Sequence, residues 1–345
     1  MERTKRLFGA FALLLVALVF ALAACGGDDD DDEEGAGGEG EGYSLYMIPK
    51  NVGNPVFDLA NKGMQAAAKE LGDTTQFNGP AEADPQQQVQ VINSAVAQGP
   101  DALIISANDP DAILPALQNA REKDVEVVTF DSDANPEGRT VFASTPEAQK
   151  VGETQIEMCG SQINYKGDIA ILSATPTATN QNTWIKFMKE TLEQDKYKNM
   201  KLVTTVYGND DPTKSTEEAQ GLLQAYRNLK CIIAPTTVGI AATARVVSQQ
   251  NACKRVVVTG LGLPSEMRDF VKSGCVKKNA LWSFEDLGYL AAYAAHAVVS
   301  GEVSGEEGES FEAGKLGAVT VDANGAVYLP ELLVFTPQNI DKYKF

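Results

Sequence analysis

The sequence is poor in the residues that most enzymes use for chemistry. Its 345 residues contain one histidine, His296, which lies among alanines in the stretch LAAYAAHAVVSG, where a packed helical histidine is expected. The chain also lacks a G-x-S-x-G elbow, a Walker loop and any C-x-x-C pair. Common hydrolase, nucleotide and zinc sites therefore have no support. We expect no catalytic residue, no metal and no cofactor.

Two weak catalytic patterns remain, and neither is convincing. The stretch from Gly260 to Ser265 starts like a dinucleotide fingerprint, but Pro264 and Ser265 interrupt its end. Asp131 and Asp133 resemble a glycosidase pair. Residues two apart at one strand end, however, rarely reach both sides of a scissile bond. The sequence therefore predicts a protein that is not an enzyme.

Basic residues are scarce relative to acidic ones. The chain has 29 Lys and Arg against 47 Asp and Glu, a formal net charge of -18. Such an acidic chain is a poor nucleic-acid binder. Nine of the acids, with no base, lie in residues 28–42, DDDDDEEGAGGEGEG. This composition predicts an extended, self-repelling tether, with weak calcium binding by the aspartates as an alternative.

The chain also lacks an apolar run long enough to span a bilayer. The stretch Leu7–Leu22 has 16 residues, short of the roughly 20 that a spanning helix needs. It follows Arg3, Lys5 and Arg6 and ends in Leu-Ala-Ala-Cys25, which resembles the bacterial lipobox. We predict a signal peptide over 1–24 and a lipidated Cys25 that begins the 25–42 tether. An ordinary signal peptide with a chance cysteine is the alternative. In either case the protein is exported, and a lipid at Cys25 would be its one attachment to the membrane.

Four cysteines follow in the exported part: Cys159, Cys231, Cys253 and Cys275. An oxidising compartment permits two disulfides, and four cysteines allow three pairings. A 231–253 or a 253–275 bridge is favoured because these cysteines lie at or just before strand starts.

From Tyr43 onwards, short β-rich runs alternate with longer helical patterns such as Val56–Leu71, Asp84–Gln98 and Ser215–Tyr226. This alternation predicts an α/β fold with parallel sheets. Two strand–turn–helix–strand units, one in each half, suggest two doubly wound lobes that face each other. The predicted strands are Leu45–Ile48, Leu103–Ser106, Val125–Phe130, Ile169–Leu172, Leu202–Val206, Cys231–Ala234, Val256–Thr259 and Ala280–Trp282.

The turns after these strands are rich in side chains that bind hydroxyl groups. Ligands of open parallel sheets bind beyond the carboxyl ends of the strands, so we expect one polar cleft. Amides and carboxylates suit sugar hydroxyls, and flat aromatic faces suit sugar C–H groups. The predicted ligand-binding residues are Lys50, Asn51, Asn54, Phe57, Asn108, Asp131, Asp133, Asn180, Gln181, Pro235, Thr237 and Trp282.

Six of these turns, in order along the chain, resemble the type I periplasmic sugar-binding proteins of ABC importers, in particular the rhamnose-binding and autoinducer-2-binding branch. The similarity runs from about Tyr43 to Phe345. The motifs are Ile48-Pro49-Lys50-Asn51, Ser106-Ala107-Asn108-Asp109-Pro110-Asp111, Phe130-Asp131-Ser132-Asp133, Thr179-Asn180-Gln181-Asn182-Thr183-Trp184, Ala234-Pro235-Thr236-Thr237 and Leu281-Trp282.

The resemblance implies two lobes that are joined by a three-stranded hinge and close around a sugar. It assigns 43–143 and about 285–315 to the N-terminal lobe, and 144–284 and about 316–345 to the C-terminal lobe. It also implies ABC permease subunits as partners and a monomeric chain that does not bind nucleic acid. A role in presenting a sugar-derived signal for chemotaxis is compatible with the same motifs.

Four positions match the ligand contacts of autoinducer-2 receptors: Lys50, Asp131, Gln181 and Pro235. Two others depart from that group, because Asn180 replaces an aspartate and Thr237 replaces an alanine. At these two positions the chain looks like the rhamnose-binding proteins. The resemblance therefore favours L-rhamnose or a related deoxyhexose or aldose, with autoinducer-2 as the alternative.

Overall fold

Residues 42–345 are described by the computed structural model of the chain. The predicted signal peptide, Cys25 and the tether up to residue 41 lie outside this range. Among residues 42–345, every helix is too short or too polar to cross a membrane.

The first sheet has six parallel strands. In spatial order they are β13 (Ala326–Tyr328), β5 (Val141–Ser144), β4 (Glu126–Phe130), β3 (Ala102–Ile105), β1 (Ser44–Ile48) and β2 (Thr74–Phe77). The central strands β1, β3 and β4 are almost entirely buried. This burial explains their mostly apolar sequences, because a parallel sheet is covered on both faces.

The second sheet repeats this topology with four parallel strands. In spatial order they are β7 (Asn199–Tyr207), β6 (Lys166–Ser173), β8 (Leu229–Ala234) and β9 (Val257–Gly260). In both sheets the first strand along the chain lies between the second and the third, so each sheet has a switch point beside its first strand. Ligands of such folds bind at the carboxyl edge near this point.

The remaining strands are short. β10 (Asn279–Leu281) pairs antiparallel with β14 (Leu333–Phe335), and β11 (Ser310–Glu312) pairs with β12 (Ala318–Thr320). A bridge between Leu261 and Ala280 attaches β10 beyond β9. All eight predicted strands are present in the structure, and the prediction of parallel α/β sheets is confirmed.

Helices connect the strands: α1 (Pro55–Leu71), α2 (Pro85–Val96), α3 (Leu114–Arg121), α4 (Ala148–Gly160), α5 (Thr179–Leu192), α6 (Pro212–Ala225), α7 (Thr237–Gln249), α8 (Pro264–Lys272) and α9 (Phe284–Val299). Helices α1 and α9 pack with their backbones in contact. A Cβ on Gly288 would lie 1.9 Å from the Ala60 carbonyl oxygen, so only glycine fits there. This close packing fixes the first turns of both helices, which border the candidate site.

The chain passes between the two sheets three times, at residues 145–147, 282–283 and 329–332. These are the three hinge segments of the predicted fold class. The third crossing differs from the expectation that residues from about 316 onwards belong to the C-terminal lobe. Because Ala326–Tyr328 pairs with β5, the chain leaves the first sheet only after residue 328.

The four cysteines pair as Cys159–Cys231 and Cys253–Cys275. The favoured alternative of a 253–275 bridge is confirmed, and the 231–253 alternative is wrong. Cys159 lies on α4, which packs against β8, and this packing brings it to Cys231.

Candidate functional site

A cavity of about 30 Å³ lies where the carboxyl ends of the two sheets meet. Residues that follow β1 and β4 line it from one side, and residues that follow β6, β7, β8 and β9 line it from the other. The lining residues are Lys50, Asn54, Val56, Phe57, Asp131, Asn180, Gln181, Trp184, Asp210, Pro235, Thr236, Thr237, Leu261, Leu281, Trp282 and Phe284.

On the side of the first sheet, a buried ion pair forms the floor of the cavity. The Lys50 Nζ lies 3.4 Å from Asp131 Oδ2, and both side chains are 5% exposed. The hydroxyl of Ser106 donates a second bond to the same carboxylate oxygen, at 2.8 Å. Asp131 adopts a positive φ of 58°, which is uncommon for a residue other than glycine. Its backbone and side chain are therefore held in one position.

Asn180, in the first turn of α5, connects the two lobes. Its Nδ2 donates to Asp131 Oδ1 at 3.1 Å, and its Oδ1 accepts from Lys50 Nζ at 3.2 Å. The neighbouring Gln181 is held by its Oε1, which accepts from the Ser173 hydroxyl and the Ala174 N–H. The amide nitrogen of Gln181 is thus the end of this side chain that is left for other partners.

Further contacts across the cleft show that the lobes are closed in this structure. The Thr237 hydroxyl donates to Asn54 Oδ1 at 3.3 Å, and Thr177 donates to the Asn108 carbonyl oxygen at 2.9 Å. Because Asn54 also caps the start of α1, the first turn of that helix is fixed relative to the opposite lobe.

An aromatic wall borders the cavity and continues into both lobes. Phe57 meets Phe130 and Phe284 edge to face, and Trp282 stacks on Phe284 with ring centroids 5.5 Å apart. Trp184 of α5 completes it with an edge contact to Trp282, also at 5.5 Å. Trp282 is 1% exposed, and its Nε1 has no hydrogen-bond partner among residues 42–345.

A second carboxylate lies on the cavity in addition to Asp131. Asp210, in the turn between β7 and α6, is 7% exposed and accepts a hydrogen bond from the Thr236 hydroxyl. Burial raises the pKa of Asp210 above its ordinary range, and Asp131 adds to this increase, whereas Lys50 and Thr236 act in the opposite direction. Ionised Asp210 is therefore disfavoured by its surroundings in this structure.

The sequence of residues 45–303 matches the family model of the periplasmic binding protein domain. The chain belongs to the periplasmic binding proteins. Three solved structures are similar to this binding protein over nearly its whole described length, and two of them are at least 33% identical to it.

A sugar ABC transporter structure from Actinomyces odontolyticus is 50% identical, covering 88% of this chain and 98% of that one, with a TM-score of 0.71. An ABC transporter solute-binding protein from Clostridium phytofermentas, solved with L-rhamnose, is 33% identical over 88% and 98% of the chains, with a TM-score of 0.85. LsrB from Clostridium saccharobutylicum, in complex with AI-2 (autoinducer-2), is 27% identical over 88% and 100%, with a TM-score of 0.83. Within its family, the binding protein is therefore a solute-binding protein of sugar ABC transporters, which binds its substrate and is not an enzyme.

Nine of the twelve predicted ligand-binding residues line the cavity. The three that do not have other surroundings. Asp133 is paired with Arg139, whose Nη2 lies 2.8 Å from Asp133 Oδ2, so the structure places it in an ion pair away from the cavity. Asn51 lines an outer groove between the lobes. Asn108 donates to the Lys50 carbonyl oxygen at 2.8 Å and so positions the turn after β1.

Three residues that shape the site were not predicted from the sequence. Asp210 follows the predicted strand Leu202–Val206. A polar residue after a strand end was the signal that identified the other turns, and the same signal could have identified Asp210. Trp184 lies at the end of the Thr179–Trp184 motif but was not predicted to border the cavity. Gln88 is fully buried and joins the turns after β1 and β3, because it donates to the Pro49 and Ser106 carbonyl oxygens and accepts from the Asn108 N–H. Nothing in its sequence context indicated this role.

Proposed function

We propose that this binding protein captures L-rhamnose, or a related deoxyhexose or aldose, between its lobes and delivers it to an ABC permease. The observation that carries the proposal is the presence of Asn180 and Thr237 on the cavity, at the two positions where the chain departs from autoinducer-2 receptors. The 33% identical L-rhamnose complex supports the same choice.

Each polar group on the cavity suits a different part of a sugar. Asp131 accepts hydrogen bonds from ring hydroxyls, and Lys50 and the Gln181 amide nitrogen donate to ring oxygens. Bonds to charged groups are worth about 1.5–3 kcal/mol each, so the Lys50–Asp131 pair is expected to contribute most to affinity. In the present structure Asn180 bonds to both members of this pair, and we expect ligand hydroxyls to compete for these contacts.

Trp282 supplies a donor in addition to an apolar surface. Buried polar atoms almost always have hydrogen-bond partners, and its Nε1 has none within the described residues. Because Phe284 stacks on the indole ring, one face of Trp282 is covered. We therefore infer that Trp282 acts through its N–H, which donates to a ligand oxygen, while Phe57 offers an apolar surface to sugar C–H groups.

Lobe closure is the proposed route from binding to transport. The ligand would favour closure because it contacts residues of both lobes at once, which only the closed form permits. The contacts between the lobes support this view, because Thr237–Asn54, Thr177–Asn108 and Asn180–Asp131 hold the cleft closed around the cavity.

Autoinducer-2 is the second candidate ligand. Lys50, Asp131, Gln181 and Pro235, which match the ligand contacts of its receptors, all line the cavity, and the AI-2 complex superposes with a TM-score of 0.83. With this ligand, the protein would serve signal uptake or chemotaxis.

We further propose that the protein is held outside the cell membrane, or in the periplasm, by a lipid on Cys25 and acts as a monomer. The Leu-Ala-Ala-Cys25 sequence and the acidic stretch after it support this anchoring. Metabolic labelling with a radioactive fatty acid should mark the wild-type chain and leave Cys25→Ser unlabelled. Label retained by this variant would contradict the proposal.

The ligand is identified by calorimetry on the chain from Tyr43 onwards, with L-rhamnose, D-ribose, other aldoses and autoinducer-2 as probes. We expect heat with L-rhamnose and none with autoinducer-2. Heat with autoinducer-2 alone would favour the second candidate.

A further inference from the structure

Asp210 occupies a position that the proposed function leaves unexplained. It lines the inner cavity together with Lys50 and Asp131, and it also lines an outer groove of about 500 Å³ that opens between the lobes. The groove is formed by residues 51–53 and 81–84 of the first lobe and by residues 209–214 and 238 of the second. Asp210 therefore stands between the cavity and the mouth of the cleft.

One oxygen of the Asp210 carboxylate is available for a ligand. Thr236 donates to Oδ1, and residues 42–345 provide no other side-chain hydrogen bond to Asp210. Lys50 is the cation that lowers the pKa of this carboxyl, but it is already paired with Asp131 and forms no ion pair with Asp210. The second oxygen is not among the fully enclosed polar atoms of residues 42–345 that lack a partner, so a ligand in the cleft can reach it. A mostly buried carboxylate with one unbonded oxygen is still costly unless another donor satisfies it.

The surroundings of Asp210 indicate that the carboxylate is retained for binding although it lowers stability. Proteins often keep destabilising residues where function requires them. Asp210 has a positive φ of 50° and a pKa raised by burial, yet an asparagine would fit the same turn and accept the same bond from Thr236. Folding alone therefore gives no reason for a carboxylate here.

We propose that Asp210 is a ligand-binding residue that determines specificity at the mouth of the cavity: its free carboxylate oxygen accepts a hydrogen bond from a ligand hydroxyl when the lobes close. This inference rests on the proposed function and adds a contact to it. Asp131 then binds the ligand from the first lobe, and Asp210 binds it from the second.

The test combines calorimetry with thermal unfolding for the wild-type chain, Asp210→Asn and the control Glu82→Gln. Glu82 is exposed on the outer groove, so its variant removes one charge from the mouth without touching the cavity. The probes are L-rhamnose, D-ribose and autoinducer-2. We expect Asp210→Asn to weaken the best-binding probe about tenfold to a hundredfold. Glu82→Gln should bind as the wild type does.

Asp210→Asn should weaken ligand binding, but without ligand it should make the folded chain more stable. A raised pKa means that the folded state prefers protonated Asp210, so wild-type stability falls as pH rises from the ordinary aspartate pKa through the raised one. The amide does not ionise, and the unfolding midpoint of Asp210→Asn at pH 7 should therefore exceed that of the wild type.

Two results would overturn the inference: unchanged affinity in Asp210→Asn, or a lower unfolding midpoint of the free variant, which would indicate a structural role. Failure of the wild-type chain to bind any of the probes is a different result, because it contradicts the proposed function itself.

Discussion

Asn180 Nδ2 donates a hydrogen bond to Asp131 Oδ1 over 3.1 Å and so joins the first turn of α5 to the end of β4 in the opposite lobe. The Asn180 Oδ1 also accepts from Lys50, so one amide neutralises neither charge but bonds to both. An aspartate at position 180 would compete with Asp131 for the single ammonium group. The identity of residue 180 therefore sets the charge of the cavity as well as its hydrogen bonds.

Asp131→Asn should weaken L-rhamnose binding about tenfold or more, because a ligand hydroxyl loses a charged acceptor. The variant also leaves the buried Lys50 without its counter-ion, so its unfolding midpoint should fall. Calorimetry at 25 °C measures the affinity.

The matched control for this prediction is Asp133→Asn, which breaks an ion pair with Arg139 outside the cavity. It should lower the unfolding midpoint and leave the affinity unchanged. Equal loss of affinity in both variants would contradict the assignment of Asp131 as a ligand contact.

Specificity should move toward autoinducer-2 when residues 180 and 237 are exchanged for those of its receptors. In Asn180→Asp combined with Thr237→Ala, a new carboxylate acceptor appears and a methyl and a hydroxyl are removed. We expect the ratio of autoinducer-2 to L-rhamnose affinity to rise at least about tenfold.

Asn182→Asp is the control for this exchange, because Asn182 is exposed on the same helix and its amide bonds to the Pro176 carbonyl oxygen. Its ligand preference should stay that of the wild type. An unaltered preference in the double variant would show that other residues decide specificity.

Trp282→Phe should weaken ligand binding about fivefold to tenfold, since it removes one neutral hydrogen-bond donor and keeps an aromatic ring. Both tryptophans of the chain border the cavity, so intrinsic fluorescence reports on it directly. Titration of Trp184→Phe follows Trp282 alone and should show a ligand-dependent change in emission. The idea that Trp282 contacts the ligand would be abandoned if its emission did not respond at saturation.

The Cys253–Cys275 bridge should stabilise the second lobe without affecting the ligand. Removing both cysteines, as Cys253→Ser with Cys275→Ser, should lower the free energy of unfolding by about 3 kcal/mol for a sequence separation of 22. Urea unfolding measures this loss, and calorimetry should give the wild-type affinity. Free thiols at both positions in the native, unreduced wild type would refute the pairing.

Much of the fold was predictable because hydrophobic periodicity is a local signal. The runs that became β3, β4, β8 and β9 are short and apolar, and they precede polar turns. β2, β5 and β13 of the first sheet were missed. Thr74–Phe77 is half exposed, and Val141–Ser144 and Ala326–Tyr328 are only four and three residues long. The pairing of these strands depends on long-range contacts. Because β13 pairs with β5, the chain crosses to the second sheet for the last time after residue 328, whereas the expected crossing was at about residue 316.

The site was predictable to the extent that each residue follows a strand. Asp133 was grouped with Asp131, and a two-residue spacing does not reveal that its carboxylate pairs with Arg139. Asp210 was missed for the opposite reason. Asp210 directly precedes Asp211, which caps α6 by accepting a hydrogen bond from the Lys214 N–H. The sequence of this turn is therefore typical of an ordinary helix start. Only the packing of the second lobe against the first distinguishes the two aspartates.

The proposed function is tested most directly by calorimetric titration of the chain from Tyr43 with L-rhamnose, run beside autoinducer-2. A rhamnose-binding protein should give saturable heat with L-rhamnose, at one site per chain, and no heat with autoinducer-2. Saturable binding of autoinducer-2 with no response to L-rhamnose would contradict it.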